Sequence, residues 1–206
     1  VAIEGPCCAG KTTLAEAILD RLDDRTTTII PDYADFVGGG AGMPQADPAS
    51  WPDELAAVHE LLCVEEDRLR DCPPDPTPRL VLIDRSILTL IAHCAGTDRR
   101  HARVSGFAEP VAALVRADHR PRWPQGVLYL DVPREVQLAR NRGKFASDSV
   151  FINAAFNEGF RAYFAARRDE GAMPMAWIAG DLPVATVLGK ALAFLSGPMG
   201  VRGVGS

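Results

Sequence analysis

Gly5-Pro6-Cys7-Cys8-Ala9-Gly10-Lys11-Thr12 fill the pattern G-x-x-x-x-G-K-[ST] at every fixed position. That spacing suits one chemistry, the gripping of a nucleotide's phosphates. Successive backbone N–H groups turn inward, and the dipole of the helix that follows adds partial positive charge. Gly5 and Gly10 keep Cβ atoms out of the way of the phosphates. Lys11 can reach the β- and γ-phosphates, and the Thr12 hydroxyl can hold Mg²⁺. Residues 5–13, Thr13 included, are therefore the expected ATP-binding stretch. Cys7 and Cys8 read as small loop residues; a helix N-terminus can also activate a thiol there.

The elements around the loop must position it. Val1-Ala2-Ile3 reads as the end of a buried strand and Lys11 to about Asp24 as a helix. Val1 in place of Met predicts that a few residues are missing and the first strand is cut short. Thr26–Ile30 is a β-branched second strand. Residues 33–50, with Gly38-Gly39-Gly40, Pro44 and Pro48, read as a long binding loop. A helix is expected over 51–71, and a proline-rich connector over 73–78. Leu80–Ile83 is a strand that ends in Asp84-Arg85-Ser86, and its unbroken apolar run suits a parallel strand covered on both faces. A helix through Ala92, a polar segment Gly96–Ser105 and a helix over 107–118 follow. Val127–Val132 is the fourth strand, and Pro133 opens a helix. A basic stretch spans 140–149; then come a helix over 150–168, a strand at Met175–Ile178 and a last helix over 184–195.

Strands alternating with helices predict an α/β, three-layer α/β/α fold, with five parallel strands and helices on both faces. Ligands then belong at the carboxyl ends of the strands. Those ends carry Gly5 onward, Asp32, Asp84-Arg85 and Asp131. At 206 residues one domain over 1–196 is expected, with a short lid at about 140–149 and a glycine-rich mobile tail over 197–206.

The reaction is read from the residues facing the loop. Asp84 can hold Mg²⁺ through water, or it can cap the next helix; Arg85 can bind the acceptor or a phosphate. Arg140, Arg142 and Lys144 are lid cations that can stabilise charge on a transferring group. Asp32 is the candidate base for an acceptor hydroxyl, unless it only closes a Pro-Asp turn. An acceptor that is already a phosphate would need no base. Asp32, Tyr33, Asp35, Phe36, Arg85 and Lys144 make up the acceptor-side set. Tyr33, Phe36, Trp51 and Phe107 can sandwich a ring or form core, and Phe151, Phe156, Phe160 and Phe164 read as core. Arg99–Arg103 reads as a solvated loop or a site for an acceptor's phosphate.

Together, the loop, Asp84-Arg85-Ser86, the Leu130-Asp131-Val132-Pro133 corner and the arginine-rich lid resemble the thymidylate kinase and deoxynucleoside kinase group of P-loop kinases. The resemblance implies phosphoryl transfer from ATP with Mg²⁺ to a nucleoside or nucleotide. Members of the group carry glutamate near the end of the second strand and E-R-S at the third, or D-R before an aromatic or His. Asp32 (or Asp35), Asp84 and Ser86 depart from both patterns, so a non-nucleotide acceptor such as an antibiotic stays open. A regulatory nucleotide-binding module with little turnover is the third reading.

Composition narrows the partners. Hydrophobic residues are 47%, charged residues 24% and the net charge −5, which does not indicate a nucleic-acid or acidic-membrane partner. No apolar run nears the ~20 residues of a membrane span. Five cysteines without C-x-x-C, and histidines without ligand spacing, argue against a disulfide framework or a protein-held metal. The expectation is a cytoplasmic enzyme acting on a small molecule, with a homodimer allowed.

Overall fold

The computed structural model describes residues 1–22, 27–70 and 80–201. Its centre is a sheet of five parallel strands: β1 (Ala2–Glu4), β2 (Thr27–Ile30), β3 (Leu80–Asp84), β4 (Val127–Asp131) and β5 (Met175–Ala179). They lie in the order β2-β3-β1-β4-β5, so β1 is central, with β3 on one side and β4 on the other. The chain reverses its direction across the sheet beside β1, the place where such sheets bind ligands.

Strand alternation explains the apolar runs. Ile3, Leu82, Leu128 and Leu130 pack with Leu14 and Ile18 of α1 (Lys11–Leu19) and Ala191 and Leu195 of α8 (Val184–Ser196). Ala2, Val127 and Tyr129 point to the opposite face, against Leu88 and Ala92 of α4 (Ile87–Arg100) and Phe156, Phe160 and Phe164 of α7 (Ala154–Glu170). Outside α4 lie α3 (Trp51–Arg70) and α5 (Ala108–Ala117), joined through Val58, Leu62, Ile91 and Val111. Both faces are covered, so β3 and β4 are apolar up to their terminal Asp84 and Asp131, as the sequence implied, whereas β1 ends in the buried Glu4 and β2 opens on Thr27-Thr28. The two remaining helices are short, α2 (Tyr33–Phe36) and α6 (Arg134–Asn141).

Several boundaries differ from expectation. The expected polar segment from Gly96 begins instead as the last turns of α4. Its composition is polar, but one face is buried: Cys94, Gly96 and Thr97 pack inward. Two glycines set the α4–α7 distance. A Cβ on Gly159 would lie 2.4 Å from the Ala95 carbonyl oxygen, and one on Gly96 would lie 2.6 Å from Phe156. The first helix stops at Leu19. The loop over 33–50 contains α2 and a 3₁₀ turn at Gly40–Gly42. α7 starts at Ala154 because Asn153 caps it, accepting from the Phe156 amide at 3.0 Å. Residues 197–201 turn back onto the core through Met199 and Val201, and the rest of the expected tail lies outside the described residues. So do Thr26 of the expected second strand and the proline-rich connector. Among the described residues no helix is long and apolar enough to cross a membrane.

Candidate active site

The phosphate loop joins β1 to α1. Gly5 adopts φ 141°, and a Cβ there would meet the Leu130 carbonyl oxygen at 2.5 Å, so the loop can cross β4 only with glycine. Gly10, at φ 96°, turns the chain into α1, leaving the first amides of the helix open toward the loop. Lys11 is buried, and its amine donates to the Pro6 carbonyl at 3.2 Å. Burial and the nearby Arg85 lower its pKa, while Asp84, Cys7 and Asp32 act the other way.

Across the loop stands the β3 corner. The Thr12 hydroxyl donates to Asp84 Oδ2 at 2.7 Å. Asp84 Oδ1 is buried with no hydrogen-bond partner. A carboxylate oxygen in that position, beside a Thr hydroxyl and a phosphate loop, fits Mg²⁺, which takes one or two carboxylates, waters and substrate phosphates. Arg85 follows with φ 64°, a left-handed conformation uncommon for a non-glycine residue. Its Nε donates to Asp32 Oδ2 at 2.7 Å, and its Nη2 lies 3.1 Å from Cys7 Sγ. Ser86 caps α4, accepting from the Leu88 amide.

Two buried groups hold this corner, and neither stood out in the sequence. Glu4 accepts from the Ser86 amide at 2.8 Å, the Ser86 hydroxyl at 2.7 Å and the Thr89 hydroxyl. Burial raises its pKa against those three donors. A charged residue inside an apolar strand was the available signal. Arg68 donates to the Asp84 and Arg85 carbonyls at 3.2 and 2.9 Å and to Glu65 at 3.0 Å. Nothing in the sequence distinguished Arg68 from the solvated charges of the same helix.

One cavity of about 1040 Å³ joins the loop to the region beyond this corner. Cys7–Leu14, Arg140, Lys144 and Gly180 line it at the loop; Arg85 and its partner Asp32 adjoin Cys7, and Asp35, Glu54, His93 and Phe151 line the rest. Arg140 Nη1 reaches back to the Ala9 carbonyl at 3.2 Å. Arg142, at the left-handed end of α6, is not among the lining residues. Asp32 caps α2, accepting from the Ala34 amide at 3.2 Å. Burial pushes its carboxyl up, but Arg85, Lys11 and the Ala34 amide together hold it below the usual aspartate value.

The aromatic residues divide differently from expectation. Tyr33 touches the cavity, but its ring lies under Arg68, 3.8 Å from the guanidinium carbon. Phe36 is partly exposed and does not line the cavity. Trp51 packs on Phe107, with ring centres 5.1 Å apart. Phe151 packs against the core cluster of Phe156 and Phe160, as expected, and also borders the cavity beside His93. Burial, with Arg85 nearby, pulls the pKa of His93 down to about 4. Nor is Arg99–Arg103 a solvated loop. Arg100 and His101 bind Asp47 at 3.1 and 2.8 Å, and Arg103 binds Asp98 at 3.1 Å and the Pro48 carbonyl. Asp131 also differs: Arg161 and Trp177 engage both its oxygens, outside the main cavity.

Structures of deoxyadenosine kinase from M. mycoides share the fold. One, with dCMP and dCDP bound, aligns with TM-score 0.64 at 14% identity over 95% of this chain and 97% of that one. Another, with dATP, gives 0.64 at 15% identity over 95% and 98%. At this identity the similarity establishes the P-loop kinase fold. No curated protein matches the sequence. A family model described as AAA domain matches residues 1–163, through the phosphate loop and four of the five strands. The chain belongs to that AAA domain family.

Proposed function

We propose that this protein is an ATP-dependent kinase that phosphorylates a hydroxyl of a small acceptor of the nucleoside class. The observation that carries the reading is the Asp32–Arg85 pair, which shares one cavity with the phosphate loop. ATP sits with its phosphates on residues 7–13, and the acceptor lies beyond Arg85. Lys11 and Arg140 neutralise the phosphates. Thr12 and Asp84 would hold Mg²⁺, which would supply further neutralisation of the nucleotide's phosphates. Asp32, ionised at neutral pH, accepts the proton of the acceptor hydroxyl as its oxygen bonds to the γ-phosphorus; the bond to the β-phosphate oxygen breaks and ADP leaves. Arg85 fixes the orientation of Asp32.

A hydroxyl acceptor suits this end of the cavity better than a phosphate does. Arg85 is engaged by Asp32, and Asp35 and Glu54 add further carboxylates to the wall. The M. mycoides neighbour, a deoxyadenosine kinase, makes deoxynucleosides the first acceptors to try. A sugar or antibiotic alcohol is the next class, because Asp84-Arg85-Ser86 departs from the resembled group at this corner.

The test is ADP release from ATP–Mg²⁺ over a panel of deoxynucleosides, their monophosphates and amino-sugar alcohols. Acceptor-dependent ADP should appear with hydroxyl acceptors. Lys11→Ala should lower kcat by about 10³-fold with an unchanged circular dichroism spectrum. No affinity of folded protein for ATP or ADP with Mg²⁺ would remove the reading altogether.

A further inference from the structure

The far end of the cavity carries a carboxylate that the transfer chemistry does not use. Glu54, in the first turns of α3, is 2% exposed yet borders the cavity. Its Oε1 accepts from the Cys94 thiol at 2.8 Å. Its Oε2 is buried and accepts no hydrogen bond. The cation beside it is Arg103, whose Nη1 lies 3.7 Å from Oε2, beyond hydrogen-bond reach. Arg103 is committed elsewhere, to Asp98, the Thr97 hydroxyl and the Pro48 carbonyl. Around Glu54 the wall is otherwise mostly apolar: Ala57, Val58, Leu61 and Leu90, with His93 held neutral. The loop that closes this end is fixed by the Asp47 pairs with Arg100 and His101.

We propose that Glu54 Oε2 is the point at which the acceptor is selected, and that it takes an N–H donor, an amino group or protonated amine, at the end of the acceptor remote from its reacting hydroxyl. The inference rests on the kinase reading for which end of the cavity holds the acceptor. A buried carboxylate oxygen in a largely apolar wall discriminates in two ways. An acceptor with an N–H there completes its hydrogen bonding, whereas one without leaves Oε2 sealed and unpaired. An acceptor with phosphate or carboxylate at that end meets a like charge. Burial raises the carboxyl pKa of Glu54, against the Cys94 thiol and Arg103, as for a group that lacks a full set of donors.

The test measures calorimetric affinities for the ADP–Mg²⁺ complex of the whole protein, using matched pairs. These are 2′-deoxyadenosine and its 6-desamino analogue, 2′-deoxycytidine and its 4-desamino analogue, and glucosamine and glucose. The amino member of at least one pair should bind about tenfold or more tightly than its partner. Glu54→Leu should bring that ratio close to one; should this variant not fold, the wild-type pairs decide alone. Equal affinity within every pair, as expected if water satisfies Oε2, overturns the proposal. So does binding of no member of any pair, or a ratio unchanged in Glu54→Leu. ADP formation from ATP in the same panel reports separately on the kinase reading. Amino-selective binding without turnover removes that reading and leaves Glu54 assigned; turnover without amino preference does the reverse.

Discussion

Asp84 and Asp131 end the two strands that flank β1, and each follows an unbroken apolar run. Their surroundings part them. Asp131 is saturated: Arg161 grips it with two bonds, at 2.9 and 2.7 Å, and Trp177 donates a third at 2.9 Å. Burial pushes its pKa up, but those donors hold it below the usual value. Among the described residues Asp84 has a single side-chain donor, Thr12, and keeps one buried oxygen unclaimed beside the phosphate loop. A carboxylate whose oxygens are all engaged within the protein stabilises the fold, whereas one with an oxygen to spare can serve a ligand. Glu54 at the far end of the cavity has the same character as Asp84, and Glu4 has that of Asp131.

The contrast can be broken most directly by a pair of isosteric changes. Asp84→Asn should lower kcat by about 10²–10³-fold with the fold intact. Asp131→Asn should leave kcat within about threefold and lower unfolding stability by about 0.5–1 kcal/mol, since Arg161 is half exposed. Comparable losses of kcat in both variants would show that the unclaimed oxygen confers nothing special.

Glu4 sharpens the comparison from the structural side. Glu4→Ala strands the buried Ser86 amide and the Ser86 and Thr89 hydroxyls, so denaturant unfolding should show a loss of about 2–3 kcal/mol. A loss below about 0.5 kcal/mol would mean that water replaces the carboxylate freely and that the corner does not depend on it.

A pH dependence on the cavity wall is the last test. Folded His93 titrates at about 4 and the unfolded residue near 6.5, so between those values the unfolded chain binds a proton that the folded protein does not. Stability should therefore fall as pH is lowered through that window, by about 3 kcal/mol. His93→Phe should flatten this part of the profile. An unaltered slope would place the titration elsewhere.

The phosphate loop was legible because its function resides in local backbone geometry. Two glycines, a lysine and a threonine at fixed spacing between strand and helix need no distant partner to be recognised. The parallel sheet was legible for a similar reason: strands buried on both faces read as mostly apolar runs, and helices must separate them. The end of α4 was misread because Gly96, Thr97 and Asp98 look like loop residues. Only the packing of α7 against Gly96 and the wall of the cavity give them a helical face to bury.

By itself, then, the sequence determined a nucleotide-gripping α/β domain and the strand ends where its chemistry would lie. The tertiary structure alone decided which carboxylate is which. Asp32 meets Arg85 across 53 residues, Glu4 meets Ser86 across 82, and Asp131 meets Arg161 across 30. The physical reason is that a carboxylate's role depends on its donors and its burial, and both come from segments far away in the chain. No local pattern around Asp84, Asp131 or Glu54 carries that information.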